Sequence, residues 1–241
     1  MMTVRSVFQF SASVAVGLFL VACSASDIPQ PADSVTRAQA MQIARAYVEL
    51  QWQGDPRLMM HGQDPDGMRV DTPDIAASTT LGDTMWWTTG TNTGMPYKWG
   101  GFDTPAQFRN RIATDKIVYA GDYASPQKVK GGDAVVSRYA AGIDCSGFVS
   151  RCWRLERPYS TRELAALCTP LQDFGELQAG DILLKPGVHV ILFVKWANEQ
   201  KTKFYAYESA GSPTWKCHCA HFTLSELKKI GYSAWRYKHI R

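Results

Sequence analysis

An α+β fold follows from the order of hydrophobic patterns in the second half of the chain. Phe148, Val149, Cys152 and Trp153 recur at helical spacing. Apolar runs split by turns come after them. One of those runs, Val188 to Trp196, is apolar on both faces and so belongs at the centre of an antiparallel sheet.

Composition agrees with a packed domain. The chain has 241 residues, 45% hydrophobic and 20% charged, which excludes disordered, collagen-like and coiled-coil classes. A net charge of +4, with no run of five basic residues, gives no footprint for nucleic acid.

The first 22 residues read as a signal peptide. Arg5 precedes sixteen uncharged residues, Val7 to Ala22, too few for the roughly 20 apolar residues of a spanning helix. The run ends in Leu20-Val21-Ala22-Cys23, which resembles a bacterial lipobox, where a cysteine is acylated and becomes the new N-terminus. Residues 23–33, small and polar with Pro29 and Pro31, then form a lipidated tether. An ordinary secretory leader with an incidental Cys23 is the plainer alternative. Either way the mature chain lies outside the cytoplasm. Anchored in a Gram-negative cell, Ser24 would send it to the outer membrane, facing the periplasm.

Residues 34–93 form an N-terminal helix and loop region. Asp33 or Ser34 is placed to cap a helix carrying Ala40, Ile43, Tyr47 and Leu50 on one face, stopped at Gly54-Asp55-Pro56. From Pro56 to Gly101 periodicity disappears, so long loops stiffened by Trp86 and Trp87 are expected. Thr104-Pro105 opens a short helix to about Ile112. Ser160-Thr161-Arg162-Glu163 reads as a capping box for another, ending near Leu167. Strands follow at Asp181 to Leu184, Val188 to Trp196, Lys203 to Glu208 and Tyr232 to Ile240, the last after a helical turn at Ser225 to Ile230.

Asp144-Cys145-Ser146-Gly147 puts a thiol at the start of the helix through Phe148, where unpaired N–H groups and a partial positive charge favour thiolate and can hold an oxyanion. A thiolate nucleophile needs a proton partner. His189 is the best placed, on the central strand expected to pack on that helix. His61, His218, His221 and His239 fall in a loop, among cysteines or at the C-terminus. Glu208 on the next strand is a carboxylate able to orient the imidazole, and a register shift of one residue would present Tyr207 or Ser209 instead.

Asp144-Cys145-Ser146-Gly147-Phe148-Val149, Gly180-Asp181-Ile182, Gly187-Val188-His189-Val190 and Pro96-Tyr97-Lys98-Trp99-Gly100-Gly101 together resemble the NlpC family of papain-like cell-wall cysteine peptidases. The resemblance covers roughly residues 94–241. It implies a papain-like core with the nucleophile at a helix N-terminus packed on an antiparallel sheet. It also implies Cys145 as nucleophile, His189 as base, a Tyr97 hydroxyl directed at substrate or oxyanion, and Asp144 and Ser146 as recognition groups for a free amino end. The implied substrate is the peptidoglycan stem peptide, cut between γ-D-glutamyl and diamino acid, with no cofactor and no metal. Two features depart from the family. Residues 102–143, 42 in number, replace a short connector and are expected to form an inserted lobe, and Glu208 stands where the family most often has His. A non-catalytic wall-binding lipoprotein and a thiol-dependent acyl or amide transferase are the rival functions.

The extracytoplasmic assignment favours disulfides among Cys152, Cys168, Cys217 and Cys219, leaving Cys145 free. Cys217-His218-Cys219-Ala220-His221 also has soft-metal ligand chemistry, but no second ligand pair with matching spacing accompanies it.

Overall fold

The computed structural model describes residues 30–77 and 86–241. The signal peptide and Cys23 lie outside the described residues.

Helix α1 (Arg37–Val48) starts one turn later than the sequence suggests. Thr36, not Asp33 or Ser34, is its cap, and Thr36 and Gln39 satisfy each other's backbone N–H groups as a capping box. It stops at Val48 because Gln51–Gly54 is already a strand, β1, paired antiparallel with β4 (Gly90–Thr93). Between them, where long loops are expected, a hairpin forms from β2 (His61–Gln63) and β3 (Arg69–Asp71). Its Asp64-Pro65-Asp66-Gly67 turn is closed by Asp64 Oδ1, which accepts from the backbone N–H groups of Asp66 and Met68.

Residues 102–143 pack into the same core as the rest. They supply α2 (Pro105–Thr114), capped by Thr104 as expected, then β5 (Tyr119–Ala120), α3 (Pro126–Gly131) and β6 (Ala140–Ala141). Phe108 of α2 meets Trp52 of β1 edge-on at 5.4 Å, and Trp52 also contacts Trp86 and Trp87. The two tryptophans thus hold this region together as the sequence suggests. A buried ion pair ties the segment to the hairpin: Lys128 Nζ donates to Asp122 Oδ2 at 2.6 Å and to the Arg69 carbonyl at 2.5 Å.

Helix α4 (Cys145–Cys152) leads into a six-stranded sheet of β7 (Cys168–Pro170), β8 (Ile182–Lys185), β9 (His189–Trp196), β10 (Lys203–Ser209), β11 (Cys217–Thr223) and β12 (Ser233–Tyr237). Its order is β11-β10-β9-β8-β12-β7, every pairing antiparallel, with α5 (Leu224–Lys229) between β11 and β12. The apolar run on β9 is internal and covered on both faces. Val190 and Leu192 join the larger core with Tyr47, Phe148 and Val149, while Ile191 and Phe193 join a second core with Phe204, Ala206 and Leu227. The Ser160 region makes only a 3₁₀ turn, Leu164–Leu167. There Glu163 accepts from the Ser160 N–H, and no side chain caps the turn itself.

Strands β7 and β11 are absent from the sequence expectations, and β11 overturns the disulfide expectation. All five described cysteines are free thiols. The sheet order places Cys168 and the Cys217–Cys219 segment on opposite edges, about 24 Å apart at five strand spacings, far beyond disulfide reach. Cys152 and Cys217 are both buried in the larger core and unbridged, and Cys219 is exposed.

The two ends of the described chain meet. Val35 and Ile240 form a parallel bridge, and the Arg37 N–H donates to the Arg241 carbonyl at 2.8 Å. Asp181 clamps this junction, with Oδ1 accepting from Arg37 at 2.9 Å and Oδ2 from Arg236 at 2.7 Å. Among the described residues no helix is long and apolar enough to cross a membrane.

Candidate active site

The nucleophile loop is built by capping. Asp144 Oδ1 accepts from the Gly147 N–H at 2.6 Å and from the Ser146 hydroxyl at 3.0 Å, so Cys145 is the first helical residue of α4. Burial raises the Asp144 pKa against these hydrogen bonds. Gly147 is required here by space, because a Cβ on it would lie 2.3 Å from the Gly101 carbonyl oxygen. The loop is also held from the sheet: Ser209 donates its hydroxyl to the Ile143 carbonyl at 2.8 Å.

Helix α4 packs on β9 and β10 and brings Cys145 to His189, the first residue of β9. The two side chains lie close enough for the sulfur to act on the ring and raise the His189 pKa. His189 Nε2 donates to Glu208 Oε2 at 2.6 Å. Tyr207 pairs with Leu192, so Glu208 follows onto the face of Ile191 and His189, and Tyr207 and Ser209 turn away. Burial opposes the imidazolium charge, but the Cys145 sulfur and then Glu208 outweigh it and lift the His189 pKa to about 10. Burial likewise opposes the Glu208 carboxylate, which His189 and His218 nevertheless hold at about 2.

Tyr97 lies at the same centre. Burial, followed by the negative charges of Cys145 and Asp144, raises its pKa, and its ring meets Trp215 edge-on at 5.5 Å. The sequence-derived residues Cys145, His189, Glu208, Tyr97, Asp144 and Ser146 therefore converge. Asp144 and Ser146 spend hydrogen bonds on each other and on the helix.

Three neighbours escaped the sequence reading. His218 sits directly across from Glu208 on β11, with Nε2 3.1 Å from Oε1. Tyr232 is raised in pKa by burial and by the nearby charges of Glu208 and Cys145. Trp215 packs between Tyr97 and Tyr123. Only His218 carried a signal: as a strand, residues 217–221 put His218 and Ala220 on the face of Glu208 and Cys217, Cys219 and His221 on the other, where Cys217 is buried and Cys219 and His221 are exposed. Among the described residues no three metal-binding side chains come together.

The arrangement can carry nucleophilic acyl chemistry: a sulfur at a helix start, an imidazole on it and a carboxylate behind the imidazole. Compared with protein-family models, curated proteins and solved structures, the chain matches none.

Proposed function

We propose that this protein is a papain-like cysteine peptidase of the bacterial cell wall, cutting peptidoglycan stem peptides between the γ-D-glutamyl residue and the diamino acid. The convergence of Cys145, His189 and Glu208, with His189 Nε2 2.6 Å from Glu208 Oε2 and its ring beside the sulfur, carries the reading. The four motifs resembling the NlpC family give its substrate class.

In this mechanism the Cys145 thiolate attacks the amide carbonyl carbon, and the first turn of α4 offers N–H groups to the oxyanion. His189 gives its proton to the leaving amine as the C–N bond breaks, leaving a thioester. It then takes a proton from water, which attacks the thioester, releases the carboxylate product and restores the sulfur. Glu208 keeps the ring oriented and its charge compensated through both steps. Tyr97 closes the site beside the sulfur, and Asp144, whose Oδ1 is occupied by the capping bonds, is the carboxylate that the family resemblance assigns to a substrate ammonium. A lipid on Cys23 would hold the enzyme on its membrane, within tether reach of the wall.

The test is digestion of purified sacculi by the full chain in detergent, with fragments read by mass spectrometry. New stem-peptide fragments with wild type and none with Cys145→Ala are expected. Intact sacculi with wild type would overturn the proposal.

A further inference from the structure

We propose that His218 is a positioning residue for the reaction: it grips the far oxygen of Glu208 and so fixes the carboxylate that orients His189. This inference rests on the peptidase reading for its substrate, but not for its geometry.

Glu208 is bracketed. Oε2 takes the hydrogen bond from His189 at 2.6 Å, and Oε1 lies 3.1 Å from His218 Nε2. The three residues sit on adjacent strands. Glu208 faces His218 across the β10–β11 pair and shares a face with His189 on β9. A carboxylate with one oxygen free can rotate about its terminal torsion, whereas one engaged on both oxygens cannot without losing a partner.

His218 itself has little alternative. Its Nε2 is sealed from solvent and makes no other polar contact among the described residues than the ion-pair approach to Glu208 Oε1 at 3.1 Å. With water excluded, that approach is what offsets the burial of the ring nitrogen, so the contact restrains both residues. Glu208 is 6% exposed, which keeps water from substituting for either imidazole. The other ionisable groups facing Glu208 are Tyr232, from the segment before β12, and the Cys217 thiol. Neither brings a positive charge, so among the described residues it is the two histidines that compensate this carboxylate. The effect on Cys145 passes through His189 and needs no contact between His218 and substrate.

The experiment measures the rate of Cys145 alkylation by iodoacetamide from pH 4 to 10, located by peptide mass spectrometry, in the full chain carrying His218→Leu, His218→Gln or Glu208→Gln. Sacculus digestion is followed in parallel. His218→Leu is expected to slow alkylation near neutral pH by about tenfold, the loss of one charge-assisted contact, and to distort the pH profile as Glu208→Gln does. His218→Gln, which keeps an N–H donor at this reach, should recover most of the rate. A His218→Leu profile that superimposes on wild type, or equal losses in the Leu and Gln variants, would overturn the role. Should wild type leave sacculi intact while alkylation still responds in this graded way, the peptidase reading fails and the positioning role stands.

Discussion

A Cβ on Gly147 would come within 2.3 Å of the backbone oxygen of Gly101, and that oxygen cannot swing aside as a side chain could. The Gly101 loop follows the Tyr97 segment, so helix α4 and Tyr97 are brought together by a contact that tolerates no side chain. Gly147→Ala should therefore cost about 1–3 kcal/mol of stability, as overpacking does, and slow Cys145 alkylation beyond what the stability loss explains. Urea unfolding alongside alkylation kinetics separates the two effects. An Ala variant alkylated at the wild-type rate would show that the loop yields.

Glu208 and His189 set opposite ends of the pH range. The Glu208 pKa falls from 4.5 to about 2 on folding, so its contribution to stability is present above pH 4.5 and lost as pH drops toward 2. The His189 pKa rises from 6.5 to about 10, so its contribution is complete below pH 6.5 and lost as pH climbs through 10. Urea titrations across pH 2–11 should show both limbs in wild type, and Glu208→Gln should flatten the acid one. In sacculus digestion the same variant should lose up to about 10⁴-fold in rate, the size of the loss when a triad carboxylate is neutralised.

The thiols divide sharply by environment. Burial raises the pKa of Cys152, of Cys217, and of Cys168 to about 12, so all three should resist iodoacetamide in the folded protein at neutral pH. Cys145 should be labelled in the native state, and all five described cysteines after unfolding without reductant. A mass showing fewer free thiols in the unreduced, unfolded chain would restore a disulfide.

Lys128 and Asp122 form a buried pair, 3% and 0% exposed at their side chains, beneath the Tyr97 segment. Lys128→Met strands Asp122 without its cation and should cost about 3–5 kcal/mol, whereas replacing both with apolar residues should cost far less. Denaturant midpoints of the single and double variants test this directly.

Much of the site was legible because it depends on local signals. The Asp144-Cys145 helix start is a capping pattern, and the His189 and Glu208 assignments follow from strand alternation across neighbouring runs. What escaped depends on long-range pairing. His218 becomes a neighbour of Glu208 only once residues 217–223 are a strand, and the run of cysteine and histidine there suggested ligand chemistry rather than the period of two. The 3₁₀ turn at Leu164–Leu167 differs for a related reason: half of its capping box forms, and the segment ends at Cys168, where β7 begins. The disulfide expectation came from compartment alone, and compartment says nothing about which sheet edge a cysteine occupies.

Because Val35 runs beside Ile240 and the Arg37 N–H reaches the Arg241 carbonyl, the molecule is nearly a closed ring of chain. A short linker joining residue 241 to residue 34 would complete that ring, and new termini could open at the exposed Asn198–Lys201 turn between β9 and β10. Such a circular permutant would begin beside the strands that hold His189 and Glu208, moving its N-terminus to another flank of the fold while leaving its core in place.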